Sequence, residues 1–193
     1  MSQGENDSSA QIATLVLRAQ DGDVDSFERL VDKYQAPLLR LAFRMLGNRA
    51  DAEDVAQESL MNAWLKLEYL ETPEAFSTWL YRQAVNRCKD ILKSPRHGFT
   101  VPIDETNDGN PAWTDTNASA DPQRQAENQS SMDTLSILLQ KLPREQRECW
   151  VLREQMELSY AEISRTLALP EATVRGRLSR ARKTLANEMK EWQ

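Results

Sequence analysis

Apolar residues in this chain recur every three or four positions and nowhere alternate, which confines it to helices. Leu30, Tyr34, Leu38, Leu41 and Met45 stand at 4-4-3-4 spacing, the core stripe of one long helix. The pattern predicts a helix over 12–20 that stops at Asp21-Gly22-Asp23, and a second from about Asp25-Ser26 to Leu46, ended by Gly47-Asn48. A third runs from about Arg49 to Leu70 and a fourth from about Phe76 to Lys93. From Ser94 to about Ser131 the periodicity vanishes, and Pro95, Pro102, Pro111 and Pro122 stand among Asn, Asp, Thr and Ser. Such a stretch has no core of its own and reads as a flexible linker. Helices resume near Met132 and continue to the end, broken at Pro143 and at turns near Ser159 and Leu169. The expected fold is all-α: two small helical domains, 10–93 and 132–193, joined by an acidic linker, 94–131.

The last quarter carries the sharpest motif. Ser159-Tyr160-Ala161-Glu162 has the form of a capping box, with Ile163 and Leu167 as the buried stripe of a short helix. Leu169-Pro170 opens the next helix, because proline suits the first helical position. There Val174, Leu178, Ala181 and Leu185 form a core stripe, and the opposite side presents Ala172, Arg175, Gly176, Ser179, Arg180 and Lys183. Small residues between cations let a helix lie deep in a major groove and reach base edges and phosphates. Two helices, a tight turn and this sided face read as a helix-turn-helix with the second helix as reader. A solvated basic helix in an ordinary bundle is the plainer alternative. Glycine at 176 costs roughly 1 kcal/mol in a helix interior, which close approach to DNA would explain.

Total charge argues against a DNA binder that acts alone. The chain has 24 basic and 30 acidic residues, a net charge of −6 and a pI near 5.0. Phosphate neutralisation supplies most DNA affinity, so a free-standing binder is normally basic. Residues 97–131 hold one basic and six acidic groups, whereas Pro170 to Lys183 holds five and one. The basic surface is therefore local, which predicts weak DNA binding alone and a larger DNA-binding partner. No apolar run reaches the ~20 residues of a membrane span, and the polar start is no signal peptide. Cys88 and Cys149 sit inside apolar helical patterns and read as buried free thiols, consistent with a cytoplasmic chain. With His97 the lone histidine, no metal-ligand spacing exists; nor is there a phosphate-binding loop or a nucleophile–base pair. No cofactor, metal or catalytic residue is expected.

Two further helices are two-faced. In the third, Ala52, Ala56, Ser59, Leu60, Ala63 and Leu67 suit a core, while Asp54, Gln57, Glu58, Met61 and Leu65 form a second, mixed stripe. Such a stripe reads either as a protein-docking face or as packing under a neighbouring segment. In the fourth, Leu80, Ala84, Cys88 and Ile91 face a core, and Trp79, Arg82, Asn86, Lys89 and Lys93 recur on the other side without an acid. An exposed aromatic with amide and cationic neighbours suits unstacked nucleic acid. The alternative is Trp79 as a core anchor beside solvated cations.

In order, Phe27 to Tyr34 (FERLVDKY), Asp51 to Trp64 (DAEDVAQESLMNAW), Phe76 to Asp90 (FSTWLYRQAVNRCKD) and the run from Leu142 to Arg182 resemble a bacterial extracytoplasmic-function sigma factor of the sigma-70 family. The resemblance covers roughly three quarters of the chain. It implies a promoter-specificity subunit whose Asp54, Gln57 and Glu58 dock on the β′ clamp helices of core RNA polymerase, with a further contact to the β flap. It implies that Trp79, Arg82 and Asn86 read the melted −10 strand, and that Leu70, Glu71, Thr72, Pro73, Glu74 and Ala75 form the loop that holds a flipped base. Arg175, Gly176, Ser179 and Arg180 match the helix that reads the −35 duplex. The linker matches in position a segment that threads the polymerase cleft, a plain tether being the other reading. A dedicated anti-sigma protein, often membrane-anchored, is an implied partner beside polymerase and promoter DNA, at stress-type promoters and without membrane insertion by this chain itself. The sequence departs from the family where Ala172 and Gly176 replace a common glycine and serine, and where Leu70 to Glu74 lacks the usual glycine. A stand-alone helix-turn-helix regulator is the competing function.

Overall fold

The structure, a computed structural model, describes residues 3–94 and 135–190, with side chains for 10–94 and 135–188. Apart from Ser94, the expected linker 94–131 lies outside the described residues, as do residues 132–134 of the expected second domain. The described residues are helical, without strands. The first half contains α1 (Gln3–Gln20), α2 (Val24–Leu46), α3 (Arg49–Lys66) and α4 (Phe76–Lys93). The second contains α5 (135–141), α6 (Arg144–Glu154), α7 (Tyr160–Leu167) and α8 (Glu171–Lys190).

Local chemistry sets most of these boundaries. Asp23 caps α2, accepting from the Ser26 amide and hydroxyl, so the helix begins slightly before the expected Asp25-Ser26 start. Gly47 ends it in the left-handed region (φ 71°), with its N–H donated to Phe43 O at 2.8 Å. Asn48 then caps α3, accepting from Asp51 N at 3.0 Å. The third helix stops earlier than the expected Leu70. A 3₁₀ turn, Leu67–Tyr69, tightens the chain so that Leu67 and Leu70 both enter the core. Gln20 Nε2 secures the turn by donating to the carbonyls of Leu67 and Leu70.

The stripes read from spacing are the ones buried. Leu30, Tyr34, Leu38, Leu41 and Met45 of α2 meet Ala52, Val55, Ala56, Leu60 and Ala63 of α3, and Phe76, Leu80, Ala84 and Cys88 of α4. The alanines let α2 and α3 approach closely. Edge-to-face contacts of Tyr34 with Phe76 (5.3 Å) and Tyr81 (6.1 Å) lock α2 to α4. In the second half, Ile163, Val174, Leu178, Ala181 and Leu185 pack on Leu139, Cys149, Val151 and Leu152.

The two halves also pack on each other. α6 lies against the end of α2, and α7 against α4. Burial pushes the Cys88 thiol up to about 12 and the Cys149 thiol up to about 11. With no exposure and almost no thiolate at neutral pH, both should resist Ellman's reagent in the native chain and react only on unfolding. Rapid labelling without denaturant would show that one of these cores opens readily.

Candidate nucleic-acid interface

The reading helix is set by its turn. The Ser159 amide donates to Glu162 Oε2 (2.7 Å) and the Glu162 amide to Ser159 Oγ (3.2 Å), which completes the capping box. Ala168 turns the chain in the left-handed region (φ 53°), a conformation that costs a non-glycine residue about 1–2 kcal/mol. The strain is held by Leu169 N and Ser164 Oγ, bonded respectively to Ser164 O and Leu169 O.

α8 is sharply sided. Val174, Leu178, Ala181 and Leu185 are buried, while Ala172, Arg175, Ser179, Arg180 and Lys183 are exposed and Gly176 is half-buried. Two other cations turn back onto α6: Arg177 pairs with Glu145 (2.8 Å) and Arg182 with Glu154 (2.7 Å). Arg175 lies over the Tyr160 ring at 5.4 Å and pairs with Glu171 at 3.2 Å. Arg153 stacks near the same ring at 5.2 Å. Tyr160 thus holds the Arg175 guanidinium at the open face, a role the sequence signalled only by an aromatic at the start of α7. A Cβ on Gly176 would meet nothing nearer than the Arg180 guanidinium at 3.6 Å. Packing inside the chain therefore does not require this glycine.

On α3 the mixed stripe faces outward. Asp54 and Gln57 are exposed, as are Met61 at 57% and Leu65 at 61%. Among the described residues, no neighbouring segment covers them. Glu58 instead pairs with Arg87 of α4 at 2.7 Å, both partly exposed. A polar cleft lined by Glu58, Asn62, Gln83, Asn86, Arg87 and Asp90 separates this stripe from the outer face of α4.

The α4 face is less open than expected. Arg82, Asn86 and Lys93 are exposed, the last beside Asp90 at 3.5 Å. Trp79 is half-buried, packed on the core with its ring tilted 44° against Phe76 of the same helix at 6.0 Å. Only part of the ring is available for stacking. The stripe itself holds no acid, as its sequence shows, but Lys89 pairs with Glu148 of α6 at 3.0 Å. Sequence could not place an acid some sixty residues away. In the loop before α4, Leu70 is buried and contributes its side chain to the core. Glu71, Thr72 and Glu74 are exposed, and Pro73 and Ala75 are half-buried in a 3₁₀ turn.

The family model described as Sigma-70 region 2 matches residues 30–97, and that of Sigma-70, region 4 matches residues 134–185. The RNA polymerase sigma-H factor of Pseudomonas aeruginosa is 35% identical over 176 residues, covering 89% of this chain and 90% of that protein. ECF RNA polymerase sigma factor SigW of Bacillus subtilis is 30% identical over 91% of this chain and 95% of its own length. The ECF RNA polymerase sigma-E factor of Haemophilus influenzae is 32% identical over 91% and 93% respectively. Among solved structures, CnrH in complex with the cytosolic domain of CnrY has a TM-score of 0.71 at 22% identity, covering 94% of this chain and 98% of that one. RpoE of Bartonella quintana, in complex with the anti-sigma factor NepR, has a TM-score of 0.59 at 22% identity, covering 81% and 92%. At that identity both speak for the fold. The chain belongs to the extracytoplasmic-function sigma factors of the sigma-70 family, and it is a promoter-specificity subunit of RNA polymerase.

Proposed function

We propose that this sigma factor divides promoter recognition among three helix faces carried by two domains, 10–93 and 132–193. Asp54, Gln57 and Glu58, with Met61 and Leu65 beside them, dock on the β′ clamp helices, and the second domain meets the β flap. α8 enters the −35 major groove, where Arg175, Ser179, Arg180 and Lys183 reach bases and phosphates past Ala172 and Gly176. α4 takes the opened −10 strand: Trp79 offers the free part of its ring, Asn86 hydrogen-bonds, and Arg82, Lys89 and Lys93 hold phosphates. Residues 71–75 receive a flipped base, with Leu70 anchoring the turn from within the core. The linker follows the polymerase's RNA path until the transcript displaces it. No catalytic step is assigned to the chain.

The observation that carries this reading is the sidedness of α8: its buried stripe is apolar, and its exposed side is small and cationic. A stand-alone regulator would leave the exposed Asp54, Gln57, Met61 and Leu65 stripe without a purpose. Family membership supports an anti-sigma partner and stress-type promoters. Among the described residues no helix is long and apolar enough to cross a membrane. A cytoplasmic place, with any membrane hold supplied by the anti-sigma protein, fits that.

The test uses holoenzyme assembled with Asn86→Ala or Trp79→Ala. Loss of base stacking at Trp79 costs ~1–3 kcal/mol per base, and loss of the Asn86 hydrogen bond acts at the same step, so both variants should form closed complexes yet show little permanganate-reactive thymine near −10. A pre-melted template should restore transcription more fully for Trp79→Ala than for Asn86→Ala. Asn86 is exposed, so its variant should melt like the parent. Half-buried Trp79 needs a melting control. Undiminished opening by Asn86→Ala, or tight promoter binding by the chain without core enzyme, would overturn the assignment.

A further inference from the structure

The connection between α3 and α4 turns one aromatic ring outward. Its first part is the 3₁₀ turn Leu67–Tyr69, closed by Leu70 N donating to Leu67 O at 3.0 Å. With three residues per turn, positions 67 and 70 fall on one side, and both leucines are buried there. Glu68 and Tyr69 must then face away from the core, and both are exposed. Gln20 of α1 fastens this arrangement. Its Nε2 donates to Leu67 O at 2.8 Å and to Leu70 O at 2.9 Å, so one side chain sets the spacing of the two carbonyls. Val16 and Ala19 are buried and dock α1 on the core, and α1 packs on both 3₁₀ turns, Leu67–Tyr69 and Pro73–Ala75. Tyr69 is left 75% exposed, the most exposed large hydrophobic side chain among the described residues.

Resting on the −10 reading of α4 and its loop, we infer that Tyr69 is a further strand-contacting residue, a stacking platform for one unpaired base beside residues 71–75, with Gln20 as its positioning residue. Elsewhere in this half rings serve the fold: Phe27 lies on Trp64 at 4.8 Å, and Tyr34 on Phe76 and Tyr81. Trp79 gives part of its ring to the core, so α4 by itself offers a strand an incomplete aromatic surface. Tyr69 supplies a free ring two residues before the loop. Local charge selects which part of a strand comes here. Glu68, Glu71 and Glu74 flank Tyr69 in the sequence, are exposed, and repel phosphate. The exposed cations Arg82 and Lys93 stand on α4 instead. A strand laid across this corner keeps its backbone on α4 and turns a neutral base toward Tyr69. Every base has a π-face, so the platform holds a base without specifying which one. A contact residue fixed in advance binds at lower ordering cost, which is what the two Gln20 bonds provide.

The test uses holoenzyme and fork-junction templates from a promoter that the parent transcribes, with an abasic nucleotide walked singly through the exposed non-template −10 strand. Tyr69→Ala should bind the intact template about tenfold more weakly, the loss expected for one stacked base. Tyr69→Phe should bind like the parent, since the ring and not the hydroxyl makes the contact. At one abasic position the parent and Tyr69→Ala should become equal, because the base they differ over is gone. Gln20→Leu fills the space without donating; it should weaken binding at that same position and add nothing in a Tyr69→Ala background. A Gln20→Leu defect that persists undiminished in that background would overturn its positioning role. A Tyr69→Ala loss that is equal at every abasic position, or a matching loss with Tyr69→Phe, overturns the stacking. So does failure of Tyr69→Ala to assemble with core enzyme, which would make the ring a polymerase contact. Full-strength binding by Tyr69→Ala while Asn86→Ala is weakened would overturn the Tyr69 contact alone. Full-strength binding by both would overturn the −10 reading of α4 as well.

Discussion

Asp54→Lys combined with Gln57→Ala should abolish co-purification with core RNA polymerase and leave helical content and melting temperature nearly unchanged. Both residues are exposed on α3, while the opposite side of that helix is buried against α2. Surface changes of this kind usually alter stability by no more than about 0.5 kcal/mol. An interface centre loses at least ~2 kcal/mol per hot-spot residue, so two together should weaken binding by about a thousandfold. Glu58 makes a poorer probe. Its pair with Arg87 means that reversing its charge also disturbs α4, although such an exposed pair contributes only ~0–1 kcal/mol. Co-purification that survives the double change, or a fold that collapses under it, would show that the stripe is not the docking face.

Arg175→Ala should reduce transcription from a −35-dependent promoter about tenfold to a hundredfold, the loss of one good base contact at ~1–3 kcal/mol. Its side chain is 64% exposed, so the native fold should persist and core binding should be unaffected. The Tyr160 ring and the Glu171 carboxylate hold the guanidinium before DNA arrives, which lowers the ordering cost of contact. Run-off transcription on paired templates provides the check. The defect should shrink when the −35 sequence is scrambled, because a lost base contact matters only where that base is present. An equal loss on both templates would make Arg175 a phosphate contact and move specificity elsewhere on α8.

Most of what depends on neighbours within one or two turns was legible from the residues themselves, the Asp23 cap and the end of α3 at Lys66 excepted. The stripes of α2, α3, α4 and α8 are buried as their spacing indicated, except that Ile91 at the end of the α4 stripe is half-buried, and the Ser159–Glu162 box forms. Gly47-Asn48 ends one helix and starts the next. Helix periodicity and capping are local, with partners three or four positions apart. The exposed faces of α3 and α8 follow from the same arithmetic, since whatever lies opposite a buried stripe faces out.

Tertiary structure alone decided which polar residues are spent inside. Nothing in the sequence around Arg147 or Glu148 marks them as buried; their partners, Met45 O and Lys89, stand in the other half of the chain. Trp79 could be read as stacking platform or core anchor because the burial of a flank position depends on what packs around the helix. Leu70 looked like loop and is core, since the 3₁₀ turn that carries it inward is held by Gln20, some fifty residues earlier. A charge or an edge residue acquires its role from whichever surface arrives opposite it, and that arrival depends on long-range packing which no local pattern encodes.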